Sequence, residues 1–226
     1  MIVAVIVAHP DDEVLGCGGA IARHVADGDT VHVLTYTDGV SSRGALEDAA
    51  VAIGTRAMEH GHAARVLGLT SWRGVTGPAF RDQQLDTSGL LTLAREASRA
   101  VDEWAPAVVY THWPHDLNQD HRAVAQAVLI ATRPWSCGVR RVLACEVPES
   151  TAAAFGGPAF APNWYVPLDD TQVAVKLRAL AAYQSERRDW PHPRSESQVR
   201  SLSEARGAAV GVPYAEAFVL LREVCW

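Results

Sequence analysis

Seven consecutive apolar residues, Ile2 to Ala8, run straight into His9-Pro10-Asp11-Asp12-Glu13. The run is rich in β-branched side chains and shows no alternation of apolar and polar positions. That is how a strand covered on both faces reads, which means a parallel sheet with helices on either side. The rest of the chain repeats the theme. Val14 to Ala26 reads as a helix despite Gly16, Gly18 and Gly19; Thr30 to Thr37 is a second strand, Gly39 to Gly44 a loop, and Ala45 to Ala64 a helix. Leu90 to Trp104 is helical and ends before Pro106, Ala107 to Tyr110 is a buried strand, His121 to Thr132 is a helix stopped near Pro134, and Arg141 to Val147 is another strand. Strands and helices in alternation predict an α/β fold, a Rossmann-like open, mostly parallel sheet flanked by helices. Beyond Ser150 the pattern weakens. A loop over Ala152 to Pro162, a helix over Asp170 to Tyr183 and a turn-rich stretch from Trp190 to Arg194 suggest a small C-terminal lobe near the active site. No repeat, low-complexity tract or linker interrupts the chain, so residues 1–226 are read as a single domain.

Composition narrows the function classes. The net charge of −6 argues against a nucleic-acid surface, which usually carries a basic face, and leaves a small molecule as the expected partner. No run approaches the roughly 18 apolar residues of a membrane span, and the apolar start lacks the basic flank and cleavage site of a signal peptide. Cys17, Cys137, Cys145 and Cys225 include no C-x-x-C pair, and Cys17 and Cys145 read as buried free thiols. A reducing, cytoplasmic setting is the resulting expectation. The oligomeric state is left open, a homo-oligomer included.

Ligands of open α/β sheets bind beyond the carboxyl ends of the strands. Two polar clusters fall at such ends: His9 to Glu13 after the first strand, and His112 to His121 after the strand ending at Tyr110. Three protein ligands plus water define a catalytic zinc site, and His9, Asp12 and His121 supply such a set. One carboxylate and two neutral imidazoles leave the ion net positive, able to polarise a carbonyl and to lower the pKa of water toward ~7. Asp11, between the ligands of the first loop, is placed to act as general base. The same ligand types also suit other divalent ions. Asn118 is a good helix N-cap, which puts His121 in a first turn whose positive end favours the neutral imidazole a metal needs. Asp120 is read either as a partner orienting a ligating His or as a favourable charge in that turn. His24, His32, His60 and His62 read as structural or exposed, while His112, His115 and His192 stay open. Trp113 packs in the core or stacks on a substrate ring.

At this point the motifs resemble a family. Ala8-His9-Pro10-Asp11-Asp12-Glu13 is similar to the AHPDDE signature of the PIG-L/LmbE-like zinc-dependent de-N-acetylases, and Asp116 to Arg122 looks like that family's second motif, which ends in Asp-His. The likeness extends to Thr37-Asp38-Gly39, Arg56 with Glu59, Asp82 with Leu85, Phe160-x-Pro162-Asn163, Pro191 to Ser195 and Tyr214 to Phe218. It implies a Rossmann-like fold and zinc-dependent removal of an N-acetyl or other N-acyl group from an amino sugar, such as a GlcNAc derivative, or a related linear amide. It assigns the metal to His9, Asp12 and His121 and the base to Asp11. Arg56 corresponds to an Arg that contacts substrate in relatives; Asp82, His192 and Arg194 are taken with it as substrate-binding candidates. The chain departs from the family at Asn118, where many relatives carry a His that stabilises the oxyanion. Asn can donate a hydrogen bond there but cannot protonate a leaving amine, so Asp11 is expected to act as base and then as acid, with His115 or His192 as help. Two rival readings are a nucleotide- or S-adenosylmethionine-dependent enzyme, suggested by Gly16-Cys17-Gly18-Gly19, and a metal-binding protein without turnover, suggested by Asn118. Against the first, those glycines come late after the strand and follow an acidic loop.

Overall fold

The structure, a computed structural model, describes residues 1–43, 46–75, 77 and 80–225. Gly44 and Ala45, where the expected second loop meets its helix, lie outside the described residues. In chain order the elements are β1 (Ile2–Val7), α1 (Asp12–Ala26), β2 (Thr30–Thr35), α2 (Leu46–Leu67), β3 (Ser71–Gly74), α3 (Leu90–Trp104), β4 (Val108–His112) and α4 (Gln119–Ala131). They continue with β5 (Arg141–Cys145), β6 (Trp164–Leu168), α5 (Asp170–Ala182), α6 (Glu196–Ala208) and β7 (Tyr214–Glu223). One sheet runs in the order β3-β2-β1-β4-β5-β7-β6. The first five of these strands are parallel, and β7 pairs antiparallel with both β5 and β6.

The continuous apolar run of β1 is explained by its central place. Val3, Val5 and Val7 face one layer, built with Ile21 of α1, Ala63 and Leu67 of α2 and Ala179 of α5. Ala4 and Ile6 face the other, built with Leu93 and Ala97 of α3 and Val124 and Val128 of α4. Alternate side chains of a strand point to opposite faces, so both sets are apolar. Each fully buried Val contributes about 1.5–3 kcal/mol.

Helix α1 begins at Asp12, earlier than its apolar periodicity suggests, which puts Asp12 and Glu13 on its first turn. It is kinked at Cys17 (φ −150°, ψ 21°). Past the kink, the Gly19 and Ala20 N–H groups donate to Glu216 of β7 at 2.8 and 2.7 Å, and Lys176 of α5 pairs with the same carboxylate at 2.6 Å. The nearby glycines serve close packing: a Cβ on Gly16 would lie 2.5 Å from Cys145 Sγ, and one on Gly19 would run into Leu168. Cys17 and Cys145 are buried free thiols, as expected.

Four elements have no counterpart in the sequence reading: β3, β6, β7 and α6. β3 and β6 are the sheet edges, only half-buried, so their residues lack the apolar run that marked the central strands. The C-terminal part, expected as a lobe near the active site, extends the sheet through β6 and β7. The segment between α5 and α6 carries Arg194, paired with Glu186, to Asp11 at the carboxyl end of β1. Among the described residues no helix is long and apolar enough to cross a membrane.

Candidate metal centre and cleft

Strand β1 sits where the winding of the sheet reverses, with β2 on one side and β4 on the other. The crevice beyond such a reversal is where open α/β sheets bind ligands. Both polar clusters open onto it. The tight loop after β1 supplies His9, the first turn of α1 supplies Asp12, and the first turn of α4 supplies His121; all three are buried. Asp12 Oδ2 lies 3.0 Å from His9 Nδ1 and 3.3 Å from His121 Nε2, and those two nitrogens are 3.3 Å apart. A tetrahedral ion with bonds of about 2.0–2.1 Å separates its ligands by roughly 3.3–3.4 Å, so the donor set fits a zinc-sized cation.

The surroundings fix which nitrogen each imidazole offers. His121 Nδ1 faces Asp116 Oδ1 at 3.2 Å and Ser150 Oγ at 3.3 Å, which leaves Nε2 for the cluster. His9 Nε2 faces Asp82 Oδ1 and Asp120 Oδ2, each at 3.2 Å, which leaves Nδ1. A ligating His usually gives its other N–H to such a carboxylate. Asp120 therefore does orient a His, but the one on the far loop. It is itself held by the Gln83 and Leu85 N–H groups at 2.7 and 3.0 Å.

The cluster is electrostatically built for positive charge. Burial works against a charged His121, yet Asp12 and Asp116 carry it up to about 9. Burial opposes His9 too, and Asp12, Asp120 and Asp82 hold it well above its usual value. The helix end expected to keep His121 neutral is outweighed by two carboxylates in contact with it, because an N-terminal dipole amounts to only half a charge. Burial would raise Asp12, but the three imidazoles around it hold it well below the usual carboxylate range. A divalent cation satisfies the same carboxylates that the imidazole protons otherwise satisfy.

Asp11 occupies the left-handed region, φ 117°. Such a conformation costs a non-glycine residue about 1–3 kcal/mol and marks a place where structure is held for function. As N-cap of α1 it makes no side-chain cap bond. Its carboxylate turns instead to Arg194 at 3.1 Å and lies 3.9 Å from Arg56. Burial pushes it up to about 7 against the pull of Arg194.

The remaining candidates divide. Asn118 caps α4 through its side-chain oxygen, which accepts the Asp120 N–H at 2.9 Å; the NH2 is then the donor it can offer to the cleft it lines. Asp82 lines the cleft while its carboxylate is bonded to Ser42 Oγ at 2.5 Å and faces His9. Arg56 is buried, donating to the Pro10 carbonyl at 3.0 Å and to Glu186. Arg194 bridges Asp11, Glu186 at 3.0 Å and Glu149 at 2.5 Å. His192 stands one layer out, its Nδ1 accepting the Arg194 N–H at 3.1 Å. Asn118, Asp82, Arg56 and Arg194 border a cleft of about 640 Å³, and His192 does not line it.

Several members of the site have no role assigned from the sequence: His112, left open there, Asp116, Glu149 and Glu186. His112 ends β4, stacks on His121 with ring centroids 3.8 Å apart and accepts the Ala8 N–H at 2.8 Å. Burial and His121 together bring it down to about 4, so it is a neutral wall of the cluster. Its sequence signal is its place at the head of the second polar cluster, directly after a buried strand. Asp116 had a signal as well, inside the second cluster. Glu149 and Glu186 had none.

Residues 4–132, more than half of the chain, match the family described as PIG-L, GlcNAc-PI de-N-acetylase. An uncharacterized deacetylase, YaiS, of Escherichia coli is 27% identical over 79% of this chain and 88% of its own length. A 1D-myo-inositol 2-acetamido-2-deoxy-alpha-D-glucopyranoside deacetylase of Geodermatophilus obscurus is 33% identical over 63% of this chain and 60% of its own. Among solved structures, the N,N'-diacetylchitobiose deacetylase of Pyrococcus horikoshii shares the fold: TM-score 0.76 at 20% identity, covering 98% of this chain and 84% of that one.

Proposed function

The chain belongs to the PIG-L family, and from that premise we propose that it is a zinc-dependent N-deacetylase acting on an amino sugar or a related small-molecule amide. The observation that carries the reading is the set of three donor atoms 3.0–3.3 Å apart beside a carboxylate freed from its capping duty. His9, Asp12 and His121 would hold the metal. When bound, zinc supplies Lewis-acid polarisation of the amide carbonyl and acidifies water.

The protein's own groups then divide the work. Asp11 takes the proton of the attacking water and returns it to the departing nitrogen, so that acetate and a free amine leave. Arg194 fixes the direction of the Asp11 carboxylate through their 3.1 Å pair. Asp116, Asp82 and Asp120 keep the ligating imidazoles in the required tautomers. The Asn118 NH2 donates to the oxygen that gains negative charge. Arg194, Arg56 and Asp82 present charge and hydrogen bonds to the sugar hydroxyls, and His192 supports the Arg194 backbone. Relatives named for deacetylation of an acetamido sugar support this choice of substrate class.

The test is acetate release from a panel of N-acetylglucosamine derivatives by the purified, zinc-supplemented protein. Turnover that a chelator abolishes and zinc restores is the expected result. No release from any acetamido sugar, or release indifferent to chelation, overturns the reading.

Asn118→Asp separates two duties of one side chain. Asp caps helices as well as Asn does, so the unfolding free energy is expected to stay within about 0.5 kcal/mol of wild type. The donor is gone, and kcat is expected to fall at least about 100-fold, the usual cost of an oxyanion donor. Unchanged kcat would remove Asn118 from the chemistry.

A further inference from the structure

Glu13 is fully buried, two residues past the base, and the mechanism above gives it no task. Its two carboxylate oxygens point in different directions. Oε2 accepts the Asp11 N–H at 3.0 Å, and Oε1 accepts the hydroxyl of Tyr183 at 2.5 Å. Tyr183 lies just past α5, is 1% exposed and packs its ring beneath Arg56.

A helix N-cap with a carboxylate normally turns it inward onto the first N–H groups of its own helix, with an extended backbone. Asp11 does neither: its φ is 117° and its side chain caps nothing. An unconstrained Asp11 would relax into that capping role, and its carboxylate would leave the cleft. What opposes this is the bond from Glu13, which satisfies the Asp11 N–H in the strained conformation. Glu13 is one residue short of the position that makes a capping box, so it reaches the N-cap backbone without filling the ordinary motif. Tyr183 in turn fixes the Glu13 rotamer from the C-terminal half of the chain. Arg194, from that half too, holds the Asp11 carboxylate. The C-terminal part thus grips the base at its side chain and, through Glu13, at its backbone.

We infer that Glu13 and Tyr183 are positioning residues that hold Asp11 in its cleft-facing conformation. The inference rests on the deacetylase reading for its consequence and on geometry for its content. Kinetics of Tyr183→Phe, Glu13→Gln and Glu13→Ala, each zinc-loaded, test it. A small displacement of a catalytic group lowers turnover steeply, so kcat is expected to fall about tenfold in Tyr183→Phe and about a hundredfold in Glu13→Ala. KM is expected to stay within about twofold, since substrate contacts are untouched. Glu13→Gln should recover most of the loss, because an amide can accept from Asp11 and donate to the Tyr183 oxygen. In an Asp11→Ala background, Tyr183→Phe should change nothing further. A full additional loss in that background, or unchanged kcat in both Tyr183→Phe and Glu13→Ala, overturns the inference. Crystal structures give a readout that needs no activity: Asp11 should leave its positive φ and turn onto the α1 N–H groups in Glu13→Ala, or in Tyr183→Phe where that variant fails to fold. Asp11 unmoved in the variant also overturns the inference. A wild-type protein that releases no acetate overturns only the deacetylase reading, and the crystal structures still decide the positioning.

Discussion

Asp11→Asn is expected to lower kcat by about 10³–10⁴-fold while zinc content and folding stay near wild type. General acid–base catalysis by one side chain contributes about 10²–10⁴-fold, and the upper part of that range applies where one group serves both proton transfers. In the proposed mechanism Asp11 would serve both, since its carboxylate is turned away from the helix it precedes and pairs with Arg194 beside the donor cluster. The substitution is nearly isosteric, and Asn tolerates a positive φ as well as Asp does, so the strained turn survives. It removes the negative charge and the basicity together. The measurement is kcat on an acetamido sugar, beside zinc by elemental analysis and a denaturation curve. A variant that keeps its zinc and turns over at a near-normal rate would show that another group moves the protons.

His121→Ala is expected to weaken zinc binding at least about 100-fold, beyond the 10–100-fold that follows loss of a mere partner of a ligand, and to abolish activity. His121 is the member of the cluster that comes from the far side of the cleft. Its Nε2 stands 3.3 Å from both Asp12 and His9, so without it two donors from one loop remain. Metal that binds the native state raises its stability by mass action. Zinc should therefore raise the melting temperature of the wild-type protein and leave that of the variant almost unmoved. About one zinc per chain in the wild type, lost in the variant, is the companion result. Equal zinc in both proteins would place the ion elsewhere, and no thermal shift in either would remove it from the reading.

The elements read well from the sequence were those whose burial is two-sided. β1 and β4 sit in the centre of the sheet, so their apolar runs are unbroken, and α3 carries a strong apolar face against the same layer. The edge strands β3 and β6 are half-exposed and carry Trp, Arg and Pro where a central strand carries Val and Ile. β7 was hidden for a different reason. It runs antiparallel, and its Glu216 is buried against Gly19, Ala20 and Lys176, which no local pattern announces.

At the site, the cluster of His9, Asp12 and His121 that the structure brings together was legible because motif and spacing name these residues, and Asp11 because it stands between His9 and Asp12. Sequence order alone determined that these residues follow β1 and open α4, since chain connectivity and periodicity are local properties. What only the tertiary structure decided was which carboxylate serves which imidazole. The sequence leaves open which imidazole Asp120 serves; it faces His9, while Asp116 takes His121. The structure alone also brings Arg194, with Glu186, from the C-terminal part to Asp11, and Tyr183 to Glu13. Hydrogen bonds and ion pairs act over a few ångströms of space, and residues more than a hundred positions apart become neighbours only when the sheet sets β1 beside β4 and α5 packs over α1.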